Sequence, residues 1–420
     1  MEVLVSEPMY RTATYPKGVK WGIWHRRSRI LGNFYHFRAK QVGRASIATV
    51  SLRVGVTGGG SAGHVVPALA VAAEFRRRGQ DDLVFFGRAD SIEERLATQA
   101  GLSFVALPAA GLRRYRSWKN LTLPFVVLWG VARAIITVRR SRISVLLCKG
   151  GYVSVPAAIG AWANRVPFAI HESDHSLGLA NRILARFATK VLTSSPSTQV
   201  SVRGRKITGI CTGLPVRPDL ETADPGRFRV KHGLPPEGRV LLVFCGSSGS
   251  VRINDAVRSE LDALLKDFLV VHVCGPSNVD EQLNGTPGYF QFEYLNEDMA
   301  DALWLADVVI GRAGATTLAE LDALGKPAVL IPLPLSVSRG DQIVNADTFA
   351  ASHPCVVLPD DSHLADGLVA ACVQLIPAAD AAARGVAEGR DVHRAARAVA
   401  QEVAGMARSR HRRPAARPAR

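Results

Sequence analysis

The stretch Leu52-Arg53-Val54-Gly55-Val56-Thr57-Gly58-Gly59-Gly60-Ser61-Ala62-Gly63-His64 reads as an apolar strand running into a glycine-rich turn, and it decides the fold class. A strand over 52–56, a turn over 57–63 and an amphipathic helix over 67–78 form the opening of a βαβ unit. Working outward, strands are expected over 82–86, 144–147 and 168–171, and helices over 91–100, 155–163 and 178–188. Alternation at these lengths specifies a parallel sheet covered on both faces. The pattern restarts after Pro215, where an apolar strand over 240–244 runs into Gly246-Ser247-Ser248-Gly249-Ser250 and a helix from about 253. Segments at 269–273, 290–292, 299–305, 308–310, 317–324 and 328–331 complete the second set, and an Ala-rich amphipathic helix over 381–406 can cross back to the first. The fold class is therefore α/β, with two Rossmann-like domains facing a central cleft. Ligands in such sheets sit beyond the carboxyl ends of the strands.

Composition bounds the reading. The chain has 420 residues, 47% hydrophobic and 21% charged, enough apolar material for two domain cores. The net charge of +16 is concentrated at the ends. Residues 1–50 carry nine Lys/Arg against two acids, and residues 408–420 carry six Arg and no acid, which leaves about +3 for everything between. Such tails attract anionic surfaces weakly, and they argue against a specific nucleic-acid groove. Six scattered cysteines without CxxC spacing read as buried reduced thiols, with no disulfide or zinc framework. No apolar signal region opens the chain. The stretch 121–138, LTLPFVVLWGVARAIITV, contains Pro124 and Arg133 and suits a buried or interfacial helix better than a membrane span. Before it, Leu112-Arg113-Arg114-Tyr115-Arg116-Ser117-Trp118-Lys119 interleaves cations with aromatics, as either a lipid headgroup interface or a solvated loop would.

Five loops carry chemistry. Glycines at 58–60 and 63 let the backbone approach a phosphate, and the next helix points free N–H groups at it, although a plain tight turn has the same composition. His64 at the end of that loop is placed to accept a proton from a hydroxyl. Lys149-Gly150-Gly151-Tyr152-Val153-Ser154 and His171-Glu172-Ser173-Asp174 each follow an apolar strand, so all three loops converge at one end of a sheet. In the second half, Arg312-Ala313-Gly314-Ala315-Thr316-Thr317 presents helix amides to a diphosphate. Glu320, three residues on, is either a capping-box partner of Thr317 or a carboxylate accepting from ribose hydroxyls. Gln342 and Asn345, three apart at a helix start, share a face and can read sugar hydroxyls. Asp360-Asp361 reads as a turn, and no DxD-like cluster ends a strand in this half.

Together these segments resemble the MurG family, from about Val54 to Ala404. TGGGSAGHVVPALA, KGGYVSVP and IHESDHSLGLANR are similar to its three acceptor-side loops. TGLPVR, CGSSGS and DMADALWLADVVIGRAGATTLAEL are similar to its nucleotide-sugar half, and SRGDQIVNA matches one sub-lineage. Two departures stand out: Asp174 where many members carry Asn, and Ser61-Ala62 where Thr-Gly is common. The resemblance implies the GT-B arrangement and an inverting, metal- and cofactor-independent transfer of GlcNAc from UDP-GlcNAc to the 4-hydroxyl of a polyprenyl-diphosphate-linked muramyl peptide. It implies a peripheral enzyme on the cytoplasmic face of an anionic membrane. By resemblance, Ser61, Ala62 and Gly63 belong to the acceptor loop, and Arg217 with Leu295 and Asn296 contacts the uracil side. Ser247 and Ala315, Thr316 and Thr317 meet the diphosphate, Glu320 holds the ribose, and Gln342 and Asn345 read GlcNAc. His64 is the first expectation for the general base, with His171 or Asp174 as fallbacks, so His64, Asp174 and Glu320 form the catalytic set. The expected boundaries are a basic disordered extension at 1–50, an acceptor and membrane-binding domain at 51–213, a UDP-GlcNAc domain at 214–385, a C-terminal helix at 386–407 and a disordered basic tail at 408–420. Three rivals stand beside this reading: a related transferase using another lipid-phosphate or natural-product acceptor, a GT-B-shaped epimerase, and a nucleic-acid binder.

Overall fold

A computed structural model describes residues 52–110, 119–196, 198, 200–202, 205–206, 208–246, 248–385 and 391–412. The first sheet holds β1 (Val54–Thr57), β2 (Leu83–Gly87), β3 (Ser103–Ala106), β4 (Val145–Cys148), β5 (Phe168–Glu172) and β6 (Lys190–Thr193). After a small hairpin of β7 (Ser201–Val202) and β8 (Arg205–Lys206), β9 (Ile210–Cys211) joins that sheet's edge. The second sheet holds β10 (Val240–Phe244), β11 (Leu269–Val273), β12 (Tyr289–Phe292), β13 (Val308–Gly311), β14 (Ala328–Leu330) and β15 (Cys355–Val357). All pairings in both sheets are parallel, in the orders β3-β2-β1-β4-β5-β6-β9 and β12-β11-β10-β13-β14-β15. In each, the order reverses beside the first strand, between β1 and β4 and between β10 and β13. A doubly wound sheet opens its ligand crevice at that point.

The central strands are buried on both faces, which is why β2, β4 and β10 read as apolar runs, while β5 is apolar until it ends on the buried pair His171 and Glu172. Helices α1 (Ala62–Arg77), α2 (Ile92–Gln99), α3 (Lys119–Ser141), α4 (Ser154–Ala163) and α5 (Leu179–Leu184) belong to the first sheet. Helices α6 (Pro225–His232), α7 (Val251–Ser259), α8 (Leu261–Leu264), α9 (Met299–Leu305), α10 (Ala315–Leu324), α11 (Asp341–Ala350), α12 (Leu364–Gln374) and α13 (Ile376–Gly385) belong to the second. The last helix, α14 (Arg394–Arg412), returns to the first sheet and buries Val399, Ala400, Val403 and Met406 against Val54, Val65 and Leu147. Each fully buried side chain of this size is worth about 1.5–3 kcal/mol. The run Leu364–Ala383 has the length and hydropathy of a membrane span, yet Leu364, Leu368, Ala371 and Cys372 of α12 are buried in the second sheet's core.

Several expectations change. Helix α1 starts at Ala62, not at 67, and carries Pro67 inside it. Proline has no N–H to give to the carbonyl four residues back, so the Gly63 carbonyl is free for another donor. Helix α5 stops at Leu184, short of 188, and the stretch expected as one helix over 381–406 is divided between α13 and α14. Strands β3 and β6 were not legible: β3 is an edge strand with a half-exposed pattern, and β6 opens on Lys190. The six cysteines are unpaired, but only Cys148, Cys274 and Cys372 are buried, and Cys211 is exposed.

Candidate active site

The reversal point of the first sheet brings two glycine loops together. Lys149 N–H donates to the Thr57 carbonyl at 2.7 Å, and Gly59 N–H to the Gly150 carbonyl at 3.4 Å. Gly151 adopts φ +76°, and a β-carbon there would lie 2.0 Å from the Gly59 carbonyl oxygen, so only glycine closes this junction. The His64 ring lies against it: a β-carbon on Gly150 would be 3.5 Å from both Cε1 and Nδ1. His64 Nδ1 is buried without a hydrogen-bond partner. Burial, and then the Lys149 charge, push the imidazole down to about 4, with Glu172 opposing. At neutral pH His64 is therefore a neutral imidazole able to take a proton.

Glu172, at the end of β5 and 3% exposed, organises the neighbouring loop. It accepts from Ser173 N–H (2.9 Å), Asp174 N–H (3.2 Å), Gly178 N–H (2.9 Å) and Asn181 Nδ2 (3.0 Å). Burial pushes the Asp174 carboxyl up to about 6, helped by the charges of Glu172 and Asp341 and opposed by Lys149 and Arg339. Asp341 and Arg339, an ion pair at 2.9 Å, belong to the second half. Ser176 Oγ donates to Asp341 Oδ1 at 2.9 Å, so the two halves meet at this loop.

The second sheet's reversal point is built from backbone. Gly314 caps α10 with no side-chain bond, so the amides of Ala315, Thr316 and Thr317 have no partner within the helix. Its charges are paired off. Arg217 Nε donates to Glu320 Oε1 at 2.7 Å, and Arg312 bonds Asp360 Oδ2 at 2.8 Å and Ser250 Oγ at 2.7 Å. Gln342 Oε1 accepts from Leu333 N–H at 3.0 Å, and Asn345 Nδ2 donates to the Ala313 carbonyl at 3.3 Å, which fixes α11 beside the α10 N-terminus. The two sheets meet where Thr316 Oγ1 donates to the Gly63 carbonyl at 3.3 Å. That is the carbonyl Pro67 leaves free, and it brings the N-termini of α1 and α10 to one place. Behind this contact, a cavity of about 1330 Å³ runs along the chain crossings, lined among others by Ser173, Thr212, Ala315, Asn345 and Ala395.

Ser61, Ala62, Gly63, His64, Asp174, Ala315, Thr316, Thr317, Gln342 and Asn345 thus come from four loops and helix starts around one cleft. Two expectations need correction. His171 is fully buried, its Nε2 lies 3.0 Å from the Gly213 carbonyl and 3.2 Å from Thr212 Oγ1, and burial holds it well below the usual histidine range, so it braces the crossing strand and cannot serve as a base. Glu320 is 2% exposed and bound to Arg217, which removes it from proton transfer. It lies in the second turn of α10, and since Gly314 is the N-cap, no capping box forms with Thr317. Asn296 is exposed at φ +36° beside buried Leu295, apart from these loops in sequence. Ser247, residues 1–50 and the loop 112–118 lie outside the described residues. Sequence reading assigned no role to Lys149, Glu172, Arg312 or Asp360. A lysine ending an apolar strand was the visible signal for the first; Asp360 shows how a turn residue can anchor a distant arginine.

Comparisons with known proteins bear on the family and the fold. The glycosyltransferase family 28 N-terminal domain model matches residues 54–193 and the family 28 C-terminal domain model residues 240–399. A protein of Lachnospira eligens, named UDP-N-acetylglucosamine–N-acetylmuramyl-(pentapeptide) pyrophosphoryl-undecaprenol N-acetylglucosamine transferase, is 41% identical over 323 residues, covering 77% of this chain and 90% of its own length. One of the same name from Geobacillus thermodenitrificans is 41% identical over 334 residues, with the same two coverages. Among solved structures, Acinetobacter baumannii MurG superposes with a TM-score of 0.61 at 23% identity, over 84% of this chain and 99% of its own. The glycosyltransferase of kitacinnamycin reaches 0.62 at 17% identity, over 84% and 98%. At these identities the two structures speak for the shared GT-B fold alone.

Proposed function

The chain belongs to the MurG family of family 28 glycosyltransferases, and on that premise we propose that it transfers GlcNAc from UDP-GlcNAc to the 4-hydroxyl of polyprenyl-diphosphate-linked MurNAc-pentapeptide. The observation that carries the reading is the meeting of two helix N-termini across the cleft, through Thr316 Oγ1 and the Gly63 carbonyl. Each presents unpaired amides to an anion. A donor diphosphate at Ala315, Thr316 and Thr317 then lies next to an acceptor held by Ser61, Ala62 and Gly63.

In this reading the 4-hydroxyl attacks the anomeric carbon from the face opposite UDP, the C–O bond to the diphosphate breaks, and the linkage inverts to β-1,4. His64 takes the hydroxyl proton through Nε2, the ring nitrogen other than its buried Nδ1, and Asp174 orients the acceptor. Amides and the α10 dipole stabilise the leaving diphosphate, with no metal invoked. Arg217 and Glu320 shape the nucleoside end as a pair with Asn296, Ser247 joins Ala315, Thr316 and Thr317 at the diphosphate, and Gln342 and Asn345 read the sugar.

The acceptor's lipid calls for a membrane surface, and the α3–α5 region supports one. Phe125 (74% exposed), Leu128, Trp129 and Ile136 of α3 are uncovered, as are Leu179 and Ile183 of α5. Exposed Arg133, Arg139, Arg140, Arg182 and Arg186 accompany them. Apolar side chains flanked by cations suit an anionic leaflet, with about 1 kcal/mol per basic residue. The enzyme is accordingly proposed to work as a peripheral protein on the cytoplasmic face.

Transfer of labelled GlcNAc from UDP-GlcNAc to a short-chain acceptor analogue, with EDTA present, tests the reading. Product with a β-1,4 linkage supports it. UDP-GlcNAc binding without transfer to this acceptor would instead favour a different lipid-phosphate acceptor, a reading that the Asp174 departure keeps in view.

A further inference from the structure

Lys149 ends the apolar strand β4 and is itself only 1% exposed, one of the largest fully buried side chains in the molecule. Burying an ammonium costs far more than burying a methionine of similar length, so its partners must account for it. Nζ donates to Ser173 Oγ, and its charge acts on Glu172, Asp174, His64 and His171. Glu172 is already satisfied by four donors from its own loop and α5. What the ammonium adds is a grip on Ser173 and a counter-charge for Asp174.

We propose that Lys149 is a positioning residue for transfer: its buried ammonium holds Ser173 Oγ, fixes the Ser173–Asp174 loop against the glycine loops and supplies the positive charge buried beneath that loop. This rests on the acceptor-side roles given above to His64 and Asp174. Its charge acts on both groups in the same direction. Lys149 lowers the imidazole of His64 and lowers the carboxyl of Asp174, against burial and the charges of Glu172 and Asp341, with Arg339 helping from the second half. Removing the ammonium therefore raises both, whichever of them takes the proton. Burial and its charged neighbours leave Lys149 itself at about 8, protonated at neutral pH.

The test uses Lys149→Met and Lys149→Met/Asp174→Asn in the full-length chain. In the transfer assay, Lys149→Met is expected to lose roughly tenfold to hundredfold in kcat/KM at neutral pH. Its acid limb should move to higher pH by about one unit or more, a displacement that lost packing alone does not produce. In urea denaturation, Asp174→Asn should raise the midpoint of the Lys149→Met protein, because it removes the carboxylate left without its counter-charge. If Lys149→Met does not fold alone, recovery of folding in the double variant supports the pairing and continued failure overturns it. An acid limb that coincides with wild type, together with purely additive urea midpoints, would reduce Lys149 to packing and sink the proposal. Should the wild type transfer nothing to the acceptor analogue, the activity reading fails, and the denaturation series still decides the Lys149–Asp174 pairing.

Discussion

The two halves share a strand order and a reversal point, yet they equip that point in opposite ways. In the first, His64, Lys149, Glu172 and Asp174 crowd their side chains around the glycine loops. In the second, the crevice is lined by the bare amides of α10, while Arg217–Glu320 and Arg312–Asp360 are closed ion pairs beside it. Backbone amides offer fixed partial charge without a proton to exchange, which suits a diphosphate that must be held and released. Titratable side chains can move protons, which suits the half that receives the attacking hydroxyl. On the proposed function, one scaffold would separate binding from proton transfer by what it hangs on corresponding strand ends.

The hardest way to break this contrast is His64→Ala. Transfer should fall by about 10²–10⁴-fold, while UDP affinity measured by calorimetry stays near wild type; an equal loss in both would mean the halves do not divide the work. Glu320→Ala should do the reverse. It strands a mostly buried Arg217, at a cost of about 3–5 kcal/mol in urea denaturation, and UDP binding should weaken with it. Preserved stability would show the pair to be dispensable.

The pH profile of kcat/KM sharpens the comparison within the first half. Asp174 must lose its proton near pH 6, whereas His64 stays neutral down to about 4. Activity should therefore decline as pH falls through about 6, and Asp174→Asn should move that limb toward 4; a limb left at 6 in the variant would assign it to another group. The same shifts oppose each other in stability. The raised Asp174 weakens the fold as pH climbs from its ordinary carboxylate range through 6. The lowered His64 strengthens it as pH climbs from 4 to the ordinary histidine range.

Smaller effects probe the surfaces between and outside the halves. Phe125→Ser with Trp129→Ser should cut binding to anionic vesicles by about tenfold, with transfer to a water-soluble acceptor unchanged; sedimentation with vesicles reads it. Thr316→Val removes the donor to the Gly63 carbonyl, and at about 0.5–1.5 kcal/mol per hydrogen bond KM should rise only several-fold. No change in KM would mean that contact does not align the halves.

Much of this was legible beforehand. The expected strands over 240–244 and 269–273 coincide with β10 and β11, since a strand in the middle of a covered sheet is dominated by apolar side chains, His272 being the one polar exception. The glycine loops were visible because a close backbone junction such as Gly151 against the Gly59 carbonyl excludes side chains. The start of α1 was not, since Pro67 usually marks a helix's first turn and here lies deeper, its missing hydrogen bond replaced from the other half. His171 was misjudged because a histidine beside a functional loop looks the same in sequence whether its ring faces the cleft or the core.

Sequence alone thus determined the two-sheet architecture and the positions of the loops, because hydrophobic periodicity and glycine placement are local consequences of burial and backbone sterics. Only the tertiary structure decided which charged groups are spent on one another. Arg217 finds Glu320, Arg312 finds Asp360 and Lys149 finds Ser173 across long separations in the chain. The strength of an ion and the direction of a pKa shift depend on distance and desolvation in three dimensions, and neither is written in the order of residues.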